Sequence, residues 1–337
     1  MKILRKLLLP IVPIYYLITW LRNKLYDLNI KKSKAYDFPV LVVGNLSVGG
    51  TGKSPMIEYL LFLLKDVYDL AVLSRGYKRS TSGFQLVETS HSADQVGDEP
   101  LQFKRKFEEV LVAVDADRQN GIQKLRMQNP VPEVLLLDDA FQHRKVKAGF
   151  YILLTTFYDL YIDDIPLPTG NLREPREGAG RATIILVTKC PPDLSVKDQN
   201  QIIKRLKINA NQKVYFTSIA YSNFLQNGQH TVSIKDLRTT NFTLITGIAN
   251  PKPLTQFYKT LGLNFEHLSF PDHHNFTEAE ITKFKKRGLL ITTEKDFVRL
   301  KDRLDSDKLF YQPIEVSFLN RQTDFDRQIK EYIKNVI

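Results

Sequence analysis

A glycine-rich segment between Val43 and Pro55 has the residue types that hold phosphate groups. Small residues let successive backbone N–H groups approach phosphate oxygens, while Lys53 can reach the β- and γ-phosphates and Ser54 can bind Mg²⁺. Strict Walker A spacing has glycine at position 47, where this chain has Ser47. We predict a nucleotide-phosphate site here, with a tight strand–helix connection as the alternative. The predicted binding residues are Val48, Gly49, Gly50, Thr51, Gly52, Lys53, Ser54 and Pro55.

The segments on either side of this loop predict how it is positioned. Residues 40–43 are continuously apolar, as in a buried parallel strand, and residues 56–64 have helical spacing, so a bound anion would lie at a helix N-terminus. Strands that alternate with helices indicate a doubly wound, mostly parallel α/β sheet with its ligands at the carboxyl ends of the strands. Further strands are predicted at 70–73, 110–114, 133–139, 151–154 and 183–188.

Two carboxylates, Asp138 and Asp139, end the predicted strand 133–139. This is the position of the acid that binds Mg²⁺ in P-loop proteins, although adjacent acids also end strands in ordinary solvated turns. The upstream glycine-rich loop favours the functional interpretation. Glu99 is a further candidate, so the sequence predicts a Mg²⁺ site of Ser54, Asp138 and Glu99.

A hydroxyl group that attacks a phosphorus atom needs a group that orients or deprotonates it. Asp98 lies in the turn Gly-Asp-Glu-Pro, and His273 and His274 follow a predicted strand. Neutral histidine can accept a proton near neutral pH. A solvated acidic turn and a capping loop with locally bonded histidines are the alternatives, which spacing alone does not separate.

Three loop residues are weaker candidates for substrate contact. Gln142 and His143 come shortly after the acid pair, and Arg173 lies in Leu-Arg-Glu-Pro. The planar guanidinium group of Arg173 can hold a phosphate through two hydrogen bonds. A solvated basic surface is the alternative.

The amino-acid composition limits the kinds of protein that this chain can be. With 337 residues the chain can form two domains, and 43% hydrophobic and 25% charged residues are ordinary for a soluble globular protein. The single cysteine, Cys190, excludes an internal disulfide framework and a cysteine-based zinc site. The 48 Lys and Arg against 37 Asp and Glu give a net charge of +11, which favours an anionic partner such as nucleic acid, phosphorylated lipid or a membrane surface.

The N-terminus combines basic residues with an apolar stretch. Lys2, Arg5 and Lys6 precede residues 7–21, and Trp20 lies near the end of that stretch. The stretch is shorter than the roughly 20 residues that span a bilayer, and no small-residue cleavage site follows it. We expect an interfacial or shallowly inserted anchor, with a helix docked over a core and a short tilted span as alternatives.

The pattern along the chain divides it into three parts. Residues 219–235 are polar and contain Asn227-Gly228, and a second alternation of strands and helices follows them. We therefore expect an N-terminal membrane-associated helix in residues 1–35, a P-loop domain in 36–220 and a smaller α/β lid or substrate domain in 221–337.

The ordered set of short motifs resembles one family, the tetraacyldisaccharide 4'-kinases, or lipid A 4'-kinases, of Gram-negative bacteria. The matching segments occur in the family's order as far as about residue 300. They are Gly44-Asn45, Gly49 to Pro55, Ser74-Arg75-Gly76-Tyr77, Gly97-Asp98-Glu99-Pro100, Asp138 to Arg144, Leu172-Arg173-Glu174-Pro175, Phe270 to His274 and Thr292 to Asp296.

The resemblance implies an enzyme at the cytoplasmic face of the bacterial inner membrane, with ATP and Mg²⁺ as cofactors. Its substrate would be an anionic glycolipid, a tetraacyl glucosamine disaccharide 1-phosphate, which receives the γ-phosphate on its 4'-hydroxyl. No nucleic acid and no obligate protein partner are expected.

The resemblance also implies roles for particular residues. Lys53 and Ser54 would bind phosphate and Mg²⁺, and Asp138 and Asp139 would serve the metal and nucleophile region. Many members of the family have threonine where this chain has Ser54, and both residues offer a hydroxyl group.

The same resemblance makes Asp98 the base, assisted by a neighbouring histidine. Which of His273 and His274 acts stays open in the sequence, and we favour His273.

The main alternative function is that of a membrane-recruited P-loop ATPase or GTPase that acts as a switch. Such proteins often carry a second lysine before the paired glycines, where this chain has Val48. A guanine-specific loop would read Asn-Lys-x-Asp, and the nearest segment is Thr188-Lys189-Cys190-Pro191. Both differences count against this rival.

Overall fold

The structure is a computed structural model that describes residues 5, 7–228, 230–305 and 307–337. The strands are β1 (Lys34–Ala35), β2 (Val40–Asn45), β3 (Leu70–Ser74), β4 (Gln85–Leu86), β5 (Leu111–Val114), β6 (Val134–Asp138), β7 (Val146–Lys147), β8 (Phe150–Thr156), β9 (Ile184–Thr188), β10 (Lys213–Tyr221), β11 (Phe224–Gln226), β12 (Thr231–Ser233), β13 (Phe242–Thr246), β14 (Phe265–Ser269), β15 (Leu289–Thr293), β16 (Leu309–Gln312) and β17 (Ile314–Phe318). The α-helices are α1 (Val12–Asp27), α2 (Lys53–Leu64), α3 (Ala93–Val96), α4 (Asp98–Lys106), α5 (Arg118–Leu125), α6 (Val196–Leu206), α7 (Lys252–Thr260), α8 (Glu278–Lys285), α9 (Glu294–Leu300) and α10 (Gln322–Val336).

The larger sheet of the described chain has nine strands, in the order β17-β10-β9-β8-β2-β6-β3-β5-β4. Neighbouring strands from β10 to β5 are parallel, and the edge strands β17 and β4 are antiparallel. Because parallel strands share one direction, the residues that follow β2, β6, β3 and β9 meet at a single edge of the sheet.

Both faces of this sheet are covered, which explains why its central strands are continuous apolar runs. On one face the core includes Leu60 of α2, Phe103 of α4 and Ile329 of α10. On the other face Ile122 of α5 and Ile202 of α6 pack against the strands. The α/β class and the mostly parallel sheet predicted from the sequence are confirmed.

The described residues also form a six-stranded sheet, in the order β12-β11-β16-β15-β13-β14. Its strands from β16 to β14 are parallel, and β11 and β12 extend it antiparallel. Tyr258 of α7 packs on one core of this sheet, while Ile281 of α8 and Leu300 of α9 pack on another. We call residues 224–312 the second unit and the larger sheet with its helices the first unit.

The end of the chain returns to the first unit, whereas the sequence analysis assigned all of residues 221–337 to the second. Strand β17 pairs antiparallel with β10, and Phe325, Ile329 and Ile333 of α10 are fully buried in the core of the larger sheet. These three residues are four positions apart and therefore lie on one face of the helix. This apolar face needs another apolar surface to cover it. The other predicted boundaries stay predictions.

Helix α1 lies against the first unit with its polar side. Asn23 Nδ2 donates to Glu174 Oε2 at 2.7 Å, and Tyr15 Oη donates to the carbonyl of Arg173 at 2.9 Å. No helix among the described residues is long and apolar enough to cross a membrane. Lys2 and Lys6, two of the predicted basic residues, lie outside the described residues.

We expect the Ile329→Ala variant to unfold more readily than the wild type, because it leaves a cavity in the core of the first unit. The loss should be about 2–5 kcal/mol of unfolding free energy. Urea denaturation followed by circular dichroism measures it, with the exposed neighbour Lys330→Ala as the control. Equal stabilities of the two variants would contradict the placement of α10.

Candidate active site

The glycine-rich loop joins the buried strand β2 to helix α2 at the shared edge of the larger sheet. Gly52 caps α2 with φ +92°, a left-handed backbone conformation that a larger residue would adopt only with strain. The end of β9 holds the loop: Thr188 Oγ1 donates to the carbonyl of Thr51 at 2.7 Å, and Lys189 Nζ donates to that of Gly50 at 2.6 Å. The loop therefore presents its backbone at the N-terminus of α2, as the sequence predicted.

Lys53, Asp139 and Arg173 form a charged cluster beside the loop. Lys53 Nζ lies 3.7 Å from Asp139 Oδ1, and the guanidinium group of Arg173 donates to both carboxylate oxygens, at 2.7 and 3.1 Å. Burial alone would raise the pKa of Asp139, but Lys53 and Arg173 lower it below its usual range. Asp139 is therefore a charged partner that fixes two cations next to the phosphate site.

Asp138 lies at the same edge in a different environment. It is fully buried, Ser74 Oγ donates to its Oδ2 at 2.9 Å, and its Oδ1 has no hydrogen-bond partner within the described part of the chain. Burial and the nearby carboxylates of Glu99 and Asp139 raise its pKa. A bound cation would relieve both the desolvation and the repulsion between the carboxylates.

The residues at this position fit a magnesium ion. Ser54 Oγ donates to Glu99 Oε1 at 3.0 Å, so the predicted oxygen ligands of Ser54 and Glu99 lie together near Asp138. Mg²⁺ prefers oxygen ligands and is often held by one or two carboxylates together with phosphates and water. No three His, Cys, Asp or Glu side chains among the described residues converge into a metal site.

Asp98 at the start of α4 meets His273 of the second unit. His273 Nδ1 lies 2.8 Å from Asp98 Oδ2, and Lys295 Nζ lies 2.8 Å from His273 Nε2. Arg299 Nη2 lies 3.0 Å from Nδ1 as well, and it shares Asp98 Oδ2 with that nitrogen. A proton on Nδ1 lets the ring donate to the carboxylate and accept from the lysine at Nε2, whereas a proton on Nε2 would face the ammonium group, so Nδ1–H donates to Asp98. Burial by itself would raise the pKa of Asp98, but hydrogen bonds from Arg299 and His273 hold it well below its usual range. We call these two residues the Asp98–His273 pair.

The two adjacent histidines have different partners. His273 has φ 58°, and its backbone N–H donates to the carbonyl of Gly247, which turns its ring toward Asp98. His274 instead lies 3.0 Å from Glu280 and stacks on Phe270 within the second unit. Only His273 therefore joins Asp98, and a catalytic role for it stays a prediction.

The weaker substrate candidates already have protein partners. Gln142 Nε2 donates to the carbonyl of Asn45 at 2.8 Å and to Glu174 at 3.0 Å, and Arg173 is held by Asp139. His143 is half-buried, and burial together with Arg118 lowers its pKa to about 4. These contacts tie the loops together, and a role in substrate binding stays a prediction.

Several residues of the site were not singled out as site residues in the sequence. Ser74 and Thr188 end the apolar strands β3 and β9. Their position at the carboxyl edge of the sheet was the sequence signal that could have identified them as site residues. Arg118 donates to the carbonyls of Asp115 at 2.8 Å and Asp138 at 3.4 Å and is buried. Arg299 approaches Asp98 from a helix 201 residues later, and no local pattern indicates such a contact.

This fold and this site define an α/β protein with a glycine-rich loop at the N-terminus of a helix and a second unit that meets the first at Asp98. Residues 4–334 match the family model described as "Tetraacyldisaccharide-1-P 4'-kinase". The chain belongs to this family, as the order of its motifs predicted.

Similar proteins cover nearly the whole chain. A tetraacyldisaccharide 4'-kinase of Flavobacterium johnsoniae is 51% identical over 99% of this chain and 98% of its own length. One of Phocaeicola vulgatus is 42% identical over 98% of this chain and 96% of its own length. A crystal structure of LpxK from Aquifex aeolicus in complex with ATP has a TM-score of 0.79 at 30% identity, covering 98% of this chain and 99% of the other.

We expect the ring of His143 to stay neutral in the folded protein until the pH falls to about 4. An unfolded chain would protonate this ring from about pH 6.5 downward, so its contribution makes folding less favourable as the pH falls through that interval. NMR titration of the histidine ring signals measures the midpoint, and His143→Asn identifies the signal among those of six histidines. A midpoint above pH 6 would contradict the burial of this ring.

Proposed function

We propose that this protein is an ATP-dependent kinase that phosphorylates the 4'-hydroxyl of a tetraacylated glucosamine disaccharide 1-phosphate. The observation that carries the proposal is that the P-loop, the acid pair at the end of β6 and the Asp98–His273 pair lie in one connected site. Ser54 and Glu99 link them, because Ser54 follows the loop and Glu99 is next to Asp98. Family membership supplies the acceptor.

The donor half of the site holds the triphosphate. The loop backbone and Lys53 bind phosphate oxygens, and Ser54, Asp138 and Glu99 would hold Mg²⁺, which neutralises phosphate charge when bound. Asp139 keeps Lys53 and Arg173 beside the phosphates, where both can stabilise negative charge that develops during transfer.

The acceptor half of the site removes a proton. A lone pair of the 4'-hydroxyl oxygen attacks the γ-phosphorus, the bond from the γ-phosphorus to the bridging oxygen breaks, and ADP leaves with that electron pair. The hydroxyl proton passes to the Asp98–His273 pair, with Asp98 as the base of the pair. Because Arg299 and His273 hold the pKa of Asp98 low, this transfer comes late, once the forming bond to phosphorus has made the hydroxyl group strongly acidic. Because Asp98 begins α4 and His273 lies in the second unit, both units are needed for this step.

Helix α1 supports a position at the membrane surface. Its outward residues Ile14, Leu17, Ile18 and Leu21 are between 50% and 62% exposed, whereas Thr19 and Asn23 face the protein. An apolar stripe that faces outward is the reverse of an ordinary surface helix and suits the headgroup region of a bilayer. The net charge of +11 favours anionic lipid.

These features support a peripheral enzyme at the cytoplasmic face of the bacterial inner membrane. Tyr15 and Asn23 tie α1 to residues 173 and 174, which belong to the loop that also contacts Asp139. The anchor would therefore hold the catalytic edge close to the headgroups, where a tetraacylated substrate presents its hydroxyl group. No protein partner is part of this proposal.

We expect Lys53→Ala and Asp138→Ala each to reduce phosphoryl transfer by about 100- to 1,000-fold. Lys53 would stabilise charge at the transferring group directly, and Asp138 would hold the Mg²⁺ that does so. The assay uses γ-labelled ATP, Mg²⁺ and the disaccharide 1-phosphate lipid in detergent micelles, and it follows the label in the lipid. Lys65→Ala is the control, because Lys65 pairs with Asp66 and Glu109 outside the site.

Two outcomes would contradict the proposed function. Label that appears only as free phosphate would indicate an ATPase, and near-normal transfer by a folded Lys53→Ala variant would remove the P-loop from the reaction. Circular dichroism of each variant establishes that it is folded.

We expect the triple variant Ile14→Ser/Ile18→Ser/Leu21→Ser to bind vesicles on the order of 100-fold more weakly, at about 1 kcal/mol for each half-inserted side chain. Flotation with vesicles that contain anionic phospholipid measures binding. Val67→Ser, which changes an apolar side chain outside α1 that is 67% exposed, is the control. Unchanged flotation of the triple variant would show that another surface attaches the protein.

A further inference from the structure

We propose that Arg299 is a positioning residue for the transfer reaction, because it holds the Asp98 carboxylate in the orientation that meets His273. This role rests on the proposed function, since it acts on the residue proposed to take the hydroxyl proton. Arg299 belongs to α9 of the second unit, whereas Asp98 begins α4 of the first.

The contacts of Arg299 fix both oxygens of Asp98. Its Nε donates to Asp98 Oδ1 at 2.8 Å and its Nη2 donates to Oδ2, which is the oxygen that also accepts from His273 Nδ1. The arginine side chain is 7% exposed and that of Asp98 is 12% exposed. Bidentate pairing of this kind fixes the plane of a carboxylate as well as its distance.

Arg299 is itself held by the second unit. Its Nη1 donates to Asp296 Oδ1 at 3.3 Å and to the carbonyl of His274 at 3.5 Å. Asp296 is fully buried and accepts from the backbone of Gly247 at 2.8 Å and from Thr293 Oγ1 at 2.7 Å. These contacts fix the guanidinium group of Arg299 beside the loop that contains His273 and His274.

The consequence for Asp98 follows from its torsional freedom. Rotation about the bond to a carboxylate group is soft, so an aspartate without Arg299 would turn its oxygens away from His273 at little cost. A catalytic pair needs its geometry fixed to about 0.5 Å by supporting contacts. Arg299 supplies this support from the same unit that supplies His273, so the base is oriented only when the two units are docked.

Other contacts join α4 to α9 and the turn that follows it without touching Asp98. Arg105 of α4 donates to Asp302 at 2.8 Å and to the carbonyl of Val298 at 3.3 Å. Arg105→Gln therefore weakens the same interface and leaves the carboxylate pairing intact. It is the matched control for Arg299→Gln.

The test measures kcat and KM for ATP in the labelled-lipid assay with the full-length protein. We expect Arg299→Gln to lower kcat by about 100-fold, the effect of a misplaced catalytic group, with KM for ATP changed by less than about threefold. Arg299→Lys keeps one charged hydrogen bond, so its kcat should lie between that of Arg299→Gln and that of the wild type. Arg105→Gln should keep kcat within about threefold of the wild type.

A double-mutant cycle separates positioning from general destabilisation. In the Asp98→Ala background, measured by single turnover, Arg299→Gln should lower the rate by less than about twofold, because its effect acts through the missing carboxylate. If Arg299→Gln does not fold, the same cycle with Arg299→Lys gives the answer. Unchanged kcat in the single variant, or an equal loss with and without Asp98, would overturn the proposal.

The wild-type reaction keeps this test distinct from that of the proposed function. A wild-type protein that labels no lipid would refute the kinase activity. An active wild type with a fully active Arg299→Gln variant would refute only the role of Arg299.

Discussion

The docking of α9 against α4 is the interaction on which the site depends. It brings Asp98 to His273 and Arg299, and it also buries a charged triad in which Lys106 of α4 lies 2.6 Å from Glu58 and 2.9 Å from Glu294. Burial alone would lower the pKa of Lys106, but the two carboxylates raise it, so the lysine stays charged. Removing one member of such a triad leaves a buried charge without its partner, which strongly destabilises the docked helices.

This triad also connects the interface to the phosphate site. Glu58 lies on α2, the helix that starts at the P-loop, and Glu294 starts α9, the helix that carries Arg299. A single lysine therefore ties the helix that follows the glycine-rich loop to the helix that carries Arg299. The two parts of the candidate site are joined by one set of charges, and the parallel sheet gathers the ends of β2, β6 and β9 at one edge.

Much of the first unit could be predicted from the sequence, because buried parallel strands are uninterrupted apolar runs and the P-loop is a local pattern. The apolar run 40–43 predicted a strand, which the structure has at Val40–Asn45. The run 133–139 predicted another, which the structure has at Val134–Asp138. The acid pair and Asp98 were predicted as site residues from their places after such strands and in a tight turn, and the structure brings them to one site.

The parts that sequence reasoning missed depend on contacts between distant segments. Strand β17 and helix α10 carry ordinary strand and helix patterns. The pairing of β17 with β10 and the packing of α10 in the core of the larger sheet require the chain to leave the second unit again. Arg299 is one of many basic residues, and only the fold shows that it faces Asp98. The choice between His273 and His274 was likewise a matter of backbone conformation, since φ 58° at His273 turns one ring toward α4.

The ring nitrogens of His273 test the central contact most directly. In full-length protein labelled with ¹⁵N-histidine, we predict that Nδ1 carries a proton shifted downfield by its hydrogen bond to the carboxylate, that Nε2 is unprotonated, and that Asp98→Asn moves both signals. A ring protonated at Nε2, with a spectrum that Asp98→Asn leaves unchanged, would mean that α4 and the loop after β14 do not bring the two residues together.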